Sequence, residues 1–287
     1  MTDLAERRRA YARAIAEAAD LHTPGLEDAL ATVPREQFLP PGPWLVIGAG
    51  DARQPPAMTP DADPVHVYQD ASVAIDPDRQ LFNGAPSFLA RMIDLLTLKP
   101  GARVLHIGAG TGYYSAVMAH VVGPSGRLVA TEVDEVLASD TTQTLAATPW
   151  AEARHSDSTR IDEPFDAILV NAGVTHPQES WLDALAPGGR LLLPMTVAMP
   201  AMGPTLGKGV MVLISKATDG TLVPEVLSFV GIYSAIGLRD AGVEAALGQA
   251  MRRTSFPNLT RLRRDDHPQA EGCWLHTERF CLSMEPV

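Results

Sequence analysis

The chain reads as an α/β protein built on a doubly wound, mostly parallel sheet with an antiparallel hairpin at its edge. Three observations predict this. Between residues 102 and 195, short apolar runs alternate with segments of helical periodicity, the pattern of β-strands joined by crossover helices. The stretch ARVLHIGAGTGYYSAVMAHVVGPSGRLVATEVD (102–134) is one βαβ unit: strand, glycine turn, helix, and a second strand ending in Glu132. Further on, GVMVLISKA and LVPEVLSFVGIY are joined through Asp219-Gly220, a hairpin signal.

Taken in order, residues 3–20 place Leu4, Tyr11, Ile15 and Ala18 on one face of a helix. A second short helix, LEDALATV, follows Pro24-Gly25 and stops before Pro34. VPREQFLPPGPW comes next, then a proline- and aspartate-rich connection from Gly48 to Pro64, a loop of functional or covering length. HVYQDASVAID (66–76) is predicted as an extended edge element, and DPDRQLFNGAP carries turn signals into the helix SFLARMIDLLTL. Lys99-Pro100-Gly101 ends that helix just before the first strand of the βαβ unit.

Beyond Glu132, residues 135–147 form a helix, and EARHSDS (152–158) a short strand ending in Asp157. PFDAILVN (164–171) is an apolar strand with Asn171 at its C-terminal end. The helix through WLDALA is stopped by PGG (187–189), and RLLLPM is a fifth strand. Gly207, Lys208 and Gly209 form either a flexible rim or the entry to strand six; residues 238–253 are helical and 258–283 form two further strands. In a doubly wound sheet ligands bind at the strands' C-terminal ends, which here carry Gly108, Glu132, Asp157 and Asn171.

Composition narrows the partners. The 287 residues are 46% hydrophobic and 20% charged, ordinary for a globular protein, and the net charge of −11 argues against a nucleic-acid backbone as partner. RRR (7–9) and RLRR (261–264) read as solvated surface. No run of about 18 apolar residues suggests a membrane span, and MTDLAERRRAYARAIAEAAD lacks a signal-peptide core, so a cytoplasmic location is expected. Cys273 and Cys281 could face each other in a hairpin; they read as reduced and buried, without metal-ligand spacing, and no metal is expected.

The glycine turn points to a nucleoside cofactor. Glycines permit positive φ and let a ligand approach the main chain, the helix start offers unpaired N–H groups, and an acidic residue about 20 positions on accepts ribose hydroxyls. The dinucleotide fingerprint is G-x-G-x-x-G; here the third glycine comes one residue early, as G-A-G-T-G. That shorter pattern resembles motif I of class I S-adenosylmethionine (SAM) methyltransferases, leaving a nicotinamide-dependent oxidoreductase as a minor alternative. Tyr113 and Tyr114, after the turn, are expected to pack in the core. His176, following the 164–171 strand, is the candidate general base should the acceptor be a hydroxyl. His267 and His276, with Trp274 and Phe280, read as part of a small hairpin capping the sheet.

Over residues 26–235 the chain resembles the protein-L-isoaspartate O-methyltransferase family. The resemblance rests on VPREQFLP (33–40), the FLARMIDLL helix, VLHIGAGTGYYSAVMA, PFDAILV, LAPGGRLLLP and the closing SFVGIY. It implies a class I methyltransferase fold and a SAM-dependent transfer to a carboxylate of a peptide or protein. It also implies that Gly108, Ala109 and Gly110 line the methionine part of SAM and that Glu132, with Val133 beside it, holds the ribose. Asp157 and Ser158 fall on the family's G-D-G turn near the adenine, here S-D-S. Loop RQLFNGAP (79–86) falls on the family's G-Q-T-I-S-x-P segment, which contacts SAM and presents its Thr and Ser hydroxyls to the substrate carboxylate, so the resemblance implies cofactor contacts for Phe82, Asn83 and Gly84. Aligning Pro86 puts Phe82 at the Thr, Asn83 at the Ile and Gly84 at the Ser, so both substrate-facing hydroxyls are missing. Asn83 is the candidate replacement and the catalytic candidate for a carboxylate acceptor. His106 replaces an acidic residue before the glycine turn and is expected to affect packing.

The organisation expected is an N-terminal helical segment with a covering loop (1–65), a methyltransferase domain (66–235) and a C-terminal helix and β extension (236–287). A specialised enzyme for a particular peptide or small molecule accounts for the lost hydroxyls as well as general repair does. A SAM-binding homologue that acts only through partners is the alternative from another class.

Overall fold

The computed structural model describes residues 3–48, 55–202 and 205–285. The chain divides into two compact units: residues up to 104 together with 109–156, and residues 105–108 together with those from 157 onward.

In the first unit, α1 (Leu4–Ala19) starts at Asp3, whose side chain accepts the Ala5 N–H at 3.2 Å. It buries Tyr11, Ala12, Ile15 and Ala19. Ala18, predicted on that face, is exposed instead, because the buried stripe follows the 11–15–19 ladder of a 3.6-residue period. Helix α2 (Leu26–Thr32) is followed by a 3-10 turn over Arg35–Phe38. The strands β1 (Leu45–Gly48), β2 (Ala57–Met58), β3 (Ala71–Asp76) and β4 (Leu81–Phe82) make a small antiparallel sheet in the order β2-β1-β3-β4. Two expectations change here. The stretch 48–64 is not wholly a loop, since β2 pairs with β1 (residues 49–54 lie outside the described part). The 66–76 segment is a 3-10 turn (Pro64–Val67) followed by β3, an interior strand rather than an edge, because β1 and β4 pair on its two sides.

Helix α3 (Pro86–Leu95) begins on Pro86, whose missing N–H costs nothing at a first helical position. Strand β5 (Arg103–Ile107) leads through the glycine turn to α4 (Tyr113–Val122). Strand β6 (Arg127–Glu132) then leads to α5 (Glu135–Leu145), capped by Asp134, and β7 (Ala151–His155). Strands β6 and β7 pair in parallel from Leu128↔Ala151 to Glu132↔His155. The last strand therefore ends at His155, two residues before the predicted Asp157.

The second unit takes in residues 105–108, the end of β5 and Gly108, and continues with β8 (Phe165–Val170), α6 (Glu179–Ala184), β9 (Leu185–Ala198), β10 (Leu206–Lys216) and β11 (Leu222–Tyr233). Helix α7 (Ala241–Arg253) and the short strands β12 (Arg261–Arg263), β13 (Cys273–His276) and β14 (Cys281–Ser283) complete it. The order in this unit is β13-β14-β12-β11-β10-β9-β8-β5. Strands β8 and β9 run parallel, and β9, β10 and β11 are antiparallel, as the hairpin signal predicts. On its outer side β11 pairs with β12 only at Leu222↔Leu262.

Two local expectations are corrected, and for Gly207–Gly209 the strand-entry alternative holds. Pro187-Gly188-Gly189 does not stop α6, which ends at Ala184. It forms an irregularity inside β9: Phe165 of β8 pairs with Leu185, and Ala167, two residues on, already pairs with Arg190. Residues 258–283 contain three strands rather than two, because each is only three or four residues long and lacks a periodic signal. Gly207–Gly209 are in strand β10, paired on both sides. A Cβ on Gly209 would come within 1.9 Å of the Met195 carbonyl oxygen on β9, a contact only backbone displacement relieves. Gly209→Ala is therefore expected to lower stability by roughly 3 kcal/mol or more, read from denaturant unfolding; a change below about 1 kcal/mol would contradict this packing.

Candidate functional site

In the first unit, the turn after β5 wraps a carboxylate. Gly110 lies at φ +59°, and a Cβ there would stand 3.2 Å from Ile75 Cδ1. Its N–H donates to Glu132 Oε2 at 2.9 Å, while Glu132 Oε1 accepts the Val133 and Asp134 N–H groups at 2.8 and 3.1 Å. Glu132 is buried, so this backbone fork replaces the water it loses. Oε2, holding one donor, keeps a lone pair for an incoming hydroxyl. Threonine hydroxyls pin the turn from behind: Thr141 Oγ1 donates to Gly110 O at 2.6 Å and Thr144 Oγ1 to Thr111 O at 3.0 Å. Thr111 Oγ1 donates in turn to Phe38 O at 2.6 Å.

The loop before α3 is tied to the same unit. Arg79 Nη1 donates to Asp134 Oδ2 at 2.6 Å, and the Tyr114 hydroxyl donates to Gly84 O at 3.3 Å. The Asn83 N–H donates to Val73 O at 2.9 Å, and its side-chain Oδ1 accepts the Val73 N–H at 2.9 Å and Arg35 Nη2 at 3.3 Å. With Oδ1 doubly engaged, Asn83 Nδ2 is buried without a hydrogen-bond partner, in a residue 9% exposed. A buried unpaired amide donor costs about 1–3 kcal/mol, which a bound acceptor oxygen would offset. Phe82 is half-buried in β4 next to it.

Arg35 is the main residue that sequence reading passed over. Its side chain is fully buried. Nη1 donates to Val67 O at 2.7 Å and Gln69 O at 3.1 Å, and Nη2 to Ala71 O at 2.7 Å. The guanidinium also faces the rings of Tyr11 and Tyr113 at 6.0 and 5.8 Å. No carboxylate bonds it directly among the described contacts; carbonyl oxygens and an amide disperse the charge. An arginine embedded in VPREQFLP was the available signal. Tyr113 and Tyr114 are both buried, 4.9 Å apart edge to face, and burial raises the pKa of each hydroxyl, so both stay protonated core residues.

In the second unit, Gly108 adopts φ +76° against Asn171 and Ala172, where a Cβ would sit at 3.4 Å, and the Asn171 N–H donates to Ile107 O at 2.8 Å. Ser158 is buried at φ +59°, so the glycine-like conformation of the S-D-S turn falls on its last residue and not on Ser156. The Trp181 indole N–H donates to Ser158 O at 2.8 Å and holds that turn. Asp157 is exposed; the Thr159 N–H and hydroxyl hold its carboxyl below the usual range. His106 is fully buried, and burial pushes its imidazole down to about 3, which keeps it a neutral core group.

His176 is also buried, with Nδ1 2.8 Å from Thr175 Oγ1, Nε2 3.2 Å from Gln178 Nε2, and its ring stacked on Phe280 at 6.1 Å. Burial, then the Arg279 charge, lowers its pKa. With Thr159, Gln178, Arg264 and Arg279 it lines a cavity of about 310 Å³ that includes none of the residues predicted to bind the cofactor.

The site residues thus group by unit. Gly110, Glu132 and Val133 are joined by direct hydrogen bonds, and Ala109 anchors the turn through its N–H to Thr131 O at 3.1 Å. Asn83 and Gly84 belong to the same unit, whereas Gly108, Asp157, Ser158 and Asn171 belong to the second.

Comparison with known proteins identifies the family and the fold. The family profile described as Protein-L-isoaspartate(D-aspartate) O-methyltransferase matches residues 57–226, more than half of the chain. The protein-L-isoaspartate O-methyltransferase of Methanopyrus kandleri is 32% identical over 174 residues, 58% of this chain and 67% of the relative. That of Aeropyrum pernix is 30% identical over 199 residues, 67% of this chain and 65% of the relative, so the chain spans about two thirds of these relatives' length. Among solved structures, a protein-L-isoaspartate O-methyltransferase superposes with a TM-score of 0.63 at 21% identity, over 89% of this chain and 73% of the other. A Plasmodium falciparum structure described as the same enzyme type, in complex with S-adenosyl-L-homocysteine, gives 0.58 at 17% identity, over 80% and 98%. These two likenesses place the chain in the α/β class I methyltransferase fold.

Proposed function

The chain belongs to the protein-L-isoaspartate O-methyltransferase family, and from that premise we propose that it esterifies one carboxylate of a dedicated peptide or protein acceptor, with Asn83 as the acceptor-orienting group. The family is one of SAM-dependent methyltransferases, which supports such an enzyme over the nicotinamide-dependent alternative. The observation that carries the acceptor assignment is the buried, unpartnered Nδ2 of Asn83 in the loop where the family presents hydroxyls.

The residues fit the cofactor. Glu132 would take the ribose through the open lone pair of Oε2, and the Ala109–Gly110 backbone, free of side-chain bulk at Gly110, would face the methionine part. Bound SAM supplies an activated methyl group on a sulfonium. An acceptor already ionised needs no general base, so the protein's share is positioning and exclusion of water. Asn83 suits this share: a neutral donor orients a carboxylate without neutralising it. Arg35, bonded to the amide oxygen, polarises that amide and strengthens its N–H as a donor. Asp157, Ser158 and Asn171 are proposed on the adenine and cofactor side, Phe82 and Gly84 beside the acceptor.

No helix among the described residues is long and apolar enough to cross a membrane. A cytoplasmic location is proposed on the two free, buried cysteines, and absence of nucleic acid from its partners on the net charge of −11.

The test uses labelled SAM, an isoaspartyl peptide and its normal aspartyl twin, with SAM binding followed in the same samples. Asn83→Ala is expected to bind SAM within about threefold of the parent and to transfer methyl roughly 10–100-fold more slowly, the loss of one hydrogen bond to a charged group. Transfer at the parental rate would remove Asn83 from the acceptor site. Labelling confined to the isoaspartyl peptide would establish repair chemistry; SAM binding with neither peptide labelled is the result a dedicated acceptor predicts.

A further inference from the structure

The C-terminal extension brings four soft and borderline ligands together. His267, Cys273, His276 and Cys281 occur within fifteen residues as H-x5-C-x2-H-x4-C, and one ligating atom from each lies within 4.8 Å of all the others. A spacing of three along a regular strand would send Cys273 and His276 to opposite faces. The register between β13 and β14 slips between Cys273 and Leu275, and this irregularity reverses the parity, so both turn to one side. His276 is paired across the ladder with Cys281, which supplies the next ligand. His267 approaches from the preceding loop, its ring edge to face with that of His276 at 4.8 Å.

We propose that these four side chains bind one zinc ion in a structural Cys2His2 site. Zinc takes thiolate and imidazole ligands tetrahedrally, at about 2.3 Å to sulfur and 2.0–2.1 Å to nitrogen, which separates neighbouring ligand atoms by about 3.3–3.8 Å. Cys273 Sγ and His267 Nε2 already stand 3.9 Å apart. The surroundings are those of a metal site. His267 Nδ1 hydrogen-bonds to the Asp265 carbonyl oxygen at 2.9 Å, which puts the proton on Nδ1 and turns the lone pair of Nε2 toward the cysteine. The Ala270 N–H donates to Cys273 Sγ at 3.3 Å, as an N–H supports a thiolate. Both cysteines are buried and unbridged, and His276 Nδ1 is buried with no hydrogen-bond partner. Two thiolates balance the charge of the cation, and the soft donors select zinc over magnesium or calcium.

The site acts on the neighbouring cavity. The turn between the ligands His276 and Cys281 carries Arg279 and Phe280, two walls of the His176 cavity, and Phe280 is the ring stacked on His176. A metal joining the two ends of that turn to His267 and Cys273 holds the wall in place.

The test begins with the full chain purified under reducing conditions. One zinc per chain is expected by elemental analysis, and after chelation the protein should take back one Zn2+ in competition with a chromophoric chelator. Co2+ in its place should give intense tetrahedral bands with thiolate charge transfer, a readout that needs no variant and no activity. Zn2+ should also protect both thiols from alkylation. Cys273→Ala is expected to weaken Zn2+ by at least about 100-fold, beyond the range for loss of an outer hydrogen-bond partner. Absence of stoichiometric binding, a pale octahedral cobalt spectrum, or one zinc retained in a Cys273→Ala, Cys281→Ala variant would each overturn the proposal.

Discussion

Replacing Arg35 by methionine is expected to lower stability by about 3–5 kcal/mol, the cost of leaving several buried carbonyl oxygens without their charged donor. The methionine stem fills much of the same volume, so the effect isolates the polar head. Removing the guanidinium strips the carbonyl oxygens of Val67, Gln69 and Ala71 of a donor inside the fold, and each such loss costs about 1–3 kcal/mol where no water enters. It also frees Asn83 Oδ1 from one of its two donors. Arg35→Lys should recover only part of the loss, because one ammonium cannot reach carbonyls spread across a planar fork. Denaturant unfolding measures both variants, and a loss under about 1 kcal/mol for the methionine variant would show that solvent replaces the guanidinium. Methyl transfer should fall further than SAM binding in either variant, since the amide beside the acceptor loses its anchor.

Glu132→Gln is expected to weaken SAM by roughly 100-fold, about 2.7 kcal/mol, in line with hydrogen bonds to a charged acceptor. The carboxylate accepts three backbone N–H groups, on Gly110, Val133 and Asp134. An amide presents its NH2 to one side of that fork, where donor meets donor, and has no charge to offer a ribose. Calorimetric titration gives the affinity, and a thermal scan separates it from loosening of the turn. Retention of parental affinity with an intact fold would remove Glu132 from the cofactor site.

The features legible in the chain were those set by neighbours. The turn at Gly108–Gly112 follows from angles only glycine adopts freely, and the β10–β11 hairpin from Asp219-Gly220 between two apolar runs. Short-range patterns also misled where packing outweighs them. Ala18 and Ala19 are equally apolar, and only the phase of α1 against its neighbours selects Ala19. Pro187-Gly188-Gly189 has the composition of a helix stop, yet the pairing of β8 with β9 absorbs it as an irregularity.

From residue order alone come the α/β class, the glycine-turn cofactor constellation and the family resemblance, because periodicity, glycine angles and motif spacing are properties of consecutive residues. The Arg35–Asn83 pairing and the His267–Cys273–His276–Cys281 cluster required the folded chain. The first spans 48 residues and exists because carbonyl oxygens from 67 to 71 converge on one buried cation. The second depends on a register slip that reverses the facing of one cysteine, a change of parity that no spacing in the sequence records.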